Sequence, residues 1–278
     1  MKITVLVENT GKEPLKCEHG LSLLIEFQGN KYLLDAGTSD IFMENAKRLD
    51  ENILDIKTCF LSHGHYDHSG GFGTYLQENQ DAVVYAMNTA NQEYFSGSGE
   101  WHEIGIPKGI LEAHGKRFYY VDKVTEISEG VYIIPHNTSG LAQIGERAKL
   151  YRKQDEEYLP DDFAHELSLV FEMEKGLVLF NSCSHGGVQN IVKEVQEALP
   201  GRNVYAYLGG LHMKGKQNGK DICTFTVSEV EELVDFLKTC GVEYLYTGHC
   251  TGKPALELLK TFGGEMVHEL TTGKIIEL

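Results

Sequence analysis

The run LSHGHYDHSGG, Leu61 to Gly71, follows directly on the apolar segment IKTCF. In a chain with 12 histidines among 278 residues, three of them and an aspartate fall between His63 and His68 in the order H-x-H-x-D-H. The apolar segment reads as a buried strand, so the cluster sits where a strand runs out. On an extended segment residues two apart face the same side, and His63 and His65 therefore point together at one metal ion. Asp67 and His68 lie just beyond, where the chain turns into a helix, and reach a second ion nearby. Imidazole nitrogen with carboxylate oxygen suits zinc, and also iron or manganese. Gly64 keeps the segment narrow, and Ser69 to Gly71 allow a sharp turn and close backbone approach. A polar loop with chance histidines accounts for one such residue, not for four ligand types in a fixed order behind an apolar strand.

Short β-type runs alternate with helical ones along the rest of the chain, which makes this an α/β protein. KITVLVEN, LSLLIEFQG and KYLLDAG read as strands, the last two joined by a turn at Gly29-Asn30; DIFMENAKRL has helical spacing. Residues 88–128 hold aromatics, glycines and charges without a clean period and read as an inserted loop region in a single domain spanning 1–278. The second half begins again with strands. GLVLFNS leads into CSHGG and the helix VQNIVKEVQEAL; VYAYLGGLH, the helix SEVEELVDFLKTCG, YLYTGHC and the helix PALELLKTF follow. EMVHEL and KIIEL read as a closing hairpin. KTCFLSHGHYDHSGG and LVLFNSCSHGG share the order strand, histidine, glycines, helix, a weak echo of two similar halves.

Composition narrows the function classes. The formal net charge is -16, so nucleic-acid phosphates and anionic membranes are expected to be repelled. No apolar run approaches a membrane span, and MKITVLVENTGK is too short and polar for a secretory signal. Cys17, Cys59, Cys183, Cys223, Cys240 and Cys250 lack disulfide-framework spacing, which implies a reducing, cytoplasmic compartment.

H-x-H-x-D-H behind a strand resembles the signature of the metallo-β-lactamase superfamily of metal-dependent hydrolases. EHGLSLLIE (Glu18–Glu26), LLDAGTSDIFMENAKRL (Leu33–Leu49), LSHGHYDHSGG, CSHGG (Cys183–Gly187), GGLH (Gly209–His212) and GHCTG (Gly248–Gly252) look like its subgroup labelled dihydropterin-ribofuranosyl-aminobenzene-phosphate synthase. The resemblance implies a four-layer αββα sandwich of two mixed sheets with two divalent metal ions, zinc first, manganese or iron next. It assigns His63 and His65 to one metal, Asp67, His68 and His249 to the other, and His185 as the remaining ligand of the first. A typical member carries a bridging aspartate after the strand GLVLF, where this chain has Asn181, Ser182 and Cys183. Solvent alone then bridges, or Cys183 ligates, or the second metal binds more weakly. His136, in IIPHNTSG, competes with His185 for its role.

Other residues carry two readings each. Asp35 orients a metal-bound imidazole or simply makes a turn before Gly37. His19 approaches the site or lies in a surface loop. His212 protonates a leaving group, holds a substrate oxyanion, ligates, or is a loop histidine; with Asp67 it is the expected catalytic residue. Asp162 and Glu166 support the site or are solvated. Lys214, Lys216, Arg147 and Lys149 receive a substrate anion or are plain surface, and Cys250 packs beside His249. Tyr94, Phe95, Trp101, Phe118, Tyr119 and Tyr120 line a pocket, form a homodimer contact or pack.

The expected activity is hydrolysis, by metal-activated water, of a small and possibly phosphorylated ester or anhydride. An iron oxidoreductase on the same fold, a lactone hydrolase, a nucleic-acid-processing enzyme and a non-enzymatic metal-binding protein are the competing readings.

Overall fold

Runs of almost continuously buried residues build two sheets, each of which, in chain order, begins antiparallel and ends parallel. In the computed structural model, which describes residues 1–97 and 100–278, the chain forms two compact units. The first unit comprises residues 1–122, 139–166 and 271–278. Its main sheet has seven strands in the order Ile275–Glu277, Lys2–Val7, Ser22–Phe27, Asn30–Leu34, Thr58–Phe60, Val83–Met87 and Phe118–Val121. The strands are antiparallel as far as Asn30–Leu34 and parallel beyond it. Its core packs Leu24, Leu33, Cys59 and Val84 against Phe42 and Ala46 of the helix Ile41–Arg48 and Phe72 and Tyr75 of the helix Phe72–Glu78.

The second unit comprises residues 123–138 and 167–270. Its seven strands run Val267–Glu269, Tyr244–Thr247, Val204–Leu208, Gly176–Phe180, Leu167–Met173, Val131–Pro135 and Thr125–Ser128. The first four are mutually parallel, the rest antiparallel. The helix Val188–Ala198 buries Val188, Ile191, Val192 and Val195, the i, i+3, i+4, i+7 stripe that its sequence prescribes. Val227–Thr239 buries Val230, Leu233, Val234 and Leu237, and starts on a capping box in which Thr226 and Glu229 each accept the other's backbone N–H. The class is therefore α/β, with mixed sheets flanked by helices.

Three sequence expectations are revised. The hairpin between Ser22–Phe27 and Asn30–Leu34 turns at Gln28 and Gly29, both left-handed at φ 49° and 78°, with Phe27 opposite Asn30. Asn30 is thus the first strand residue, and the turn is the two-residue kind whose twist matches its strands. Val267–Glu269 and Ile275–Glu277 do not form a hairpin; each joins a different sheet as an edge strand, parallel to Tyr244–Thr247 and antiparallel to Lys2–Val7. Short apolar runs near one another suggest pairing, but register with existing strands decides it.

The stretch 88–128, of which Ser98 and Gly99 lie outside the described residues, is not structureless. Tyr94–Gly97 and Trp101–Glu103 form a four-stranded antiparallel sheet with Leu150–Gln154 and Glu157–Pro160, and Phe118–Val121 closes the main sheet of the first unit. Its aromatics divide accordingly. Tyr94 and Phe118 are buried, Tyr119 and Tyr120 are exposed, and Trp101 stacks on Tyr158 with ring centroids 4.2 Å apart. The strands are short and half-exposed, which is why no period-two signal marks them.

Candidate metal centre

The first unit builds its histidine cluster from two adjacent parallel strands. Asn30–Leu34 ends in Asp35 and Thr58–Phe60 leads through Ser62 to His63, with the Asp35 N–H donating to Phe60 O at 2.9 Å. His65 is still extended (φ -100°, ψ 150°), and the short helix Tyr66–Ser69 starts immediately after it. This change of direction brings the side chains together. The His63 ring lies 4.5 Å from that of His65 and 4.2 Å from that of His68, and all three are buried. Asp67 Oδ2 is 3.7 Å from His68 Nε2 and 3.2 Å from Nε2 of the more exposed His19.

Asp35 organises these rings from below. Its fully buried carboxylate accepts the Ser62 N–H on Oδ1, and on Oδ2 both the Ser62 hydroxyl and His68 Nδ1, each at 2.7 Å. Ser62 Oγ in turn accepts from His63 Nδ1 at 2.8 Å. A carboxylate only accepts, so the protons of this chain sit on the Nδ1 atoms, and both imidazoles offer Nε2 as the lone-pair nitrogen. An imidazole whose distal N–H is held by a carboxylate is the ordinary form of a histidine metal ligand. Burial, with the neighbouring His165 adding to it, pushes the His65 pKa down to about 3, so this ring too is neutral and able to donate a lone pair across the physiological range.

Gly70 and Gly71 provide the close backbone approach expected of them. A Cβ on Gly70 would lie 2.0 Å from Thr38 O, and one on Gly71 2.2 Å from Ala36 O. They let the helix carrying Asp67 and His68 seat against the Ala36–Ser39 loop, where the Ala36 N–H donates to His68 O. Glu18 ties that loop down by accepting the N–H groups of Thr38 and Ser39 and the Ser39 hydroxyl.

The second unit presents its candidates at the carboxyl ends of three neighbouring parallel strands, where open α/β sheets place their sites. Gly176–Phe180 is followed by Asn181, Ser182, Cys183, Ser184 and His185; Val204–Leu208 by Gly209, Gly210 and His212; Tyr244–Thr247 by His249 and Cys250. Ser184, His212 and His249 all have left-handed backbones (φ 55°, 48° and 49°). The loops are knitted together: Ser184 Oγ donates to Gly210 O at 2.6 Å, Gly210 N–H to Ser182 O at 2.8 Å, and Leu211 N–H to Thr251 Oγ1 at 2.9 Å. The rings of His185 and His212 are 4.3 Å apart. Cys183 and His249 are buried beside them. Burial opposes ionisation of Cys250, but hydrogen bonds from Cys183 and His212 and the nearby imidazoles of His249 and His212 outweigh it and hold the thiol well below its usual range.

His136 is committed elsewhere. Its Nδ1 donates to Glu194 Oε2 at 2.6 Å, and its Nε2 accepts from Asn181 Nδ2 at 3.2 Å. Asn181 Oδ1 accepts the Ser184 N–H at 2.7 Å, so His136 and Asn181 together shape the turn that carries Cys183 and His185. Glu194 also accepts from the Asn137 and Thr138 N–H groups and the Thr138 hydroxyl. Burial alone would raise its pKa; the bonds from His136 and Thr138 prevail and lower it to about 2. A carboxyl depressed below its unfolded value stabilises the fold above the unfolded pKa and loses that contribution as pH falls through the folded one. The stability gap between wild type and Glu194→Gln, measured in denaturant, is therefore expected to be full above about pH 5, at roughly 3 kcal/mol, and to shrink steadily toward pH 2. A gap independent of pH would contradict this assignment.

The remaining candidates are dispersed. Asp162 is partly exposed and pairs with Arg152 at 3.5 Å, whereas Glu166 is buried. Lys214 and Lys216 sit on the exposed hairpin of Lys214–Gln217 and Lys220–Cys223, with Lys214 3.2 Å from Asp221. Arg147 lies in the last turn of the helix Leu141–Ala148, and Lys149 follows that helix in a left-handed conformation. Two buried residues escaped the sequence reading: Asp161 and His165, which flank Asp162 and Glu166 in the same DDFAHEL stretch. Their i, i+4 spacing was the available signal. All six cysteines are free thiols.

Comparison with known proteins points to one superfamily. The family model of the metallo-beta-lactamase superfamily matches residues 15–149. A Methanocaldococcus jannaschii protein named 7,8-dihydropterin-6-methyl-4-(beta-D-ribofuranosyl)-aminobenzene-5'-phosphate synthase is 28% identical, the match covering 100% of this chain and 96% of that protein. A metal-dependent hydrolase of the beta-lactamase superfamily, known from its crystal structure, is 25% identical and superposes with a TM-score of 0.81 over 100% of this chain and 99% of its own. A diphosphatase of the PhnP family shares the fold at 16% identity, with a TM-score of 0.55 over 100% of this chain and 97% of its own. In sequence signature and in fold, this chain resembles the metallo-beta-lactamase superfamily, and within it the protein named as that synthase.

Proposed function

We propose that the chain is a metal-dependent hydrolase that holds two divalent ions, zinc first among the candidates, and cleaves a small phosphate ester or anhydride. The observation that carries the reading is the Asp35–Ser62–His63 and Asp35–His68 hydrogen-bond chain, which commits both Nδ1 atoms and turns two buried Nε2 lone pairs to ligation. The donor set fits zinc and its neighbours: neutral imidazoles, one carboxylate and a thiol. In this reading His63, His65, Asp67 and His68 are the ligands that the first unit offers, and Cys183, His185 and His249 those that the second offers. When bound, such a pair supplies Lewis acidity, activating water and polarising the substrate oxygen.

The protein's own part is to orient and to move protons. Asp35 keeps His68 in one tautomer and, through Ser62, does the same for His63. Asp67 accepts a proton from the attacking water. His212, left-handed at the end of Val204–Leu208, gives one to the leaving group. The choice of a phosphorylated substrate is supported by the relatives, one a phosphate-product synthase and one a diphosphatase by name. The test is a panel of phosphate monoesters, diesters, anhydrides and lactones, run on metal-loaded and chelator-stripped protein. Turnover of a phosphate compound that disappears on stripping is expected. Turnover restricted to lactones would overturn the substrate class, and no metal-dependent turnover would overturn the hydrolase.

A further inference from the structure

The backbone between the two leading histidines is clamped by a residue a hundred positions away. The His65 N–H turns back onto His63 O at 3.0 Å, so the Gly64 N–H is directed away from both. It donates to His165 Nδ1 at 2.9 Å in a buried bond. On its other side Gly64 touches backbone: a Cβ there would lie 2.5 Å from Ala90 O. The peptide between His63 and His65 is thus closed in by backbone on one side and held by a single hydrogen bond on the other.

His165 is itself held on several sides. An amide N–H only donates, so Nδ1 carries the lone pair and Nε2 the proton, which goes to Asp161 Oδ2 at 2.9 Å. Asp161 Oδ1 accepts the Phe163 N–H at 2.8 Å, and its backbone N–H donates to Leu150 O at 3.0 Å. The Asp161 backbone lies over Gly145, where a Cβ would come within 2.2 Å of Asp161 O. The Tyr94 ring lies against the imidazole with centroids 3.9 Å apart, and its hydroxyl donates to Thr89 O. His65, Asp161 and His165 bring ligand-type atoms within 4.8 Å of one another, which resembles a further metal site. The hydrogen bonds decide otherwise, because both ring nitrogens of His165 are already engaged.

We propose that His165, oriented by Asp161, is a positioning residue: it fixes the Gly64 peptide and through it the mutual orientation of the His63 and His65 imidazoles. The proposal rests on the metal-binding reading above. Its energetic logic is that a buried amide deprived of its acceptor finds another by rotating, and here rotation would swing two ligands out of convergence.

Two substitutions separate this from a merely structural role. Asn at 165 places an acceptor near the Nδ1 position and serves Gly64; Gln places its polar group near Nε2 and serves Asp161 instead. Zinc affinity is measured by chelator competition, with exchange of the Gly64 amide proton followed by NMR. His165→Gln is expected to bind zinc 10–100-fold more weakly and to lose Gly64 protection, while His165→Asn keeps most of both. His165→Ala should resemble the Gln variant if it folds. Equal affinity and protection in the Asn and Gln variants would overturn the proposal. Wild type that binds neither zinc nor manganese would sink the hydrolase reading instead, and the exchange measurement alone would then decide whether His165 fixes the peptide.

Discussion

Replacing Asp35 by alanine is expected to damage the protein twice over, with a loss of about 3–5 kcal/mol of stability and a 10–100-fold or larger loss of metal affinity. The carboxylate is fully buried and receives the Ser62 N–H, the Ser62 hydroxyl and the His68 imidazole. Removing it leaves those donors buried without their acceptor, each costing desolvation without return. It also frees His63 and His68 to change tautomer, and a ring protonated on Nε2 has no lone pair to offer there. Denaturant unfolding and zinc titration of the same preparation measure the two effects. A variant that keeps wild-type affinity would show that Asp35 only makes a turn.

Gly209→Ala is expected to cost roughly 3 kcal/mol or more. Gly209 has a φ of 141°, and a Cβ on it would fall 1.8 Å from Asn181 O, a backbone atom that has no rotamer by which to escape. The collision displaces the turn from Asn181 to His185, so loss of stability should come with loss of metal binding. A denaturation midpoint shift worth less than about 1 kcal/mol would mean that the loops ending Gly176–Phe180 and Val204–Leu208 adjust more freely than their hydrogen bonds imply.

What the sequence revealed and what it hid follow from the range of the interactions involved. The strand-to-helix passage at His63–His68 is legible because strand, ligands and turn are contiguous. The helices Val188–Ala198 and Val227–Thr239 are legible because an apolar stripe is a local pattern. Asp161 and His165 were not read, because they occur among Asp162, Ala164 and Glu166 in a stretch that looks like a solvated loop. Only the fold reveals that one pair is buried at 0% exposure and that its acceptor faces Gly64. Asn181 hides in the same way: in the sequence it is one of three residues after the strand GLVLF, yet its amide joins His136 to Ser184. The final strands, Val267–Glu269 and Ile275–Glu277, look like partners because they are close in sequence; edges already waiting in two separate sheets claim them.

The most direct test of the account is metal content per chain, by elemental analysis of protein purified without a metal-affinity tag, with His63→Ala prepared alongside. The account predicts about two zinc or manganese ions in the wild type and a clear deficit in the variant, because the ring that Ser62 and Asp35 orient is gone. Iron near one per chain would contradict the hydrolase in favour of a redox enzyme. No bound metal, even after incubation with zinc, manganese or iron, would contradict the metal centre itself.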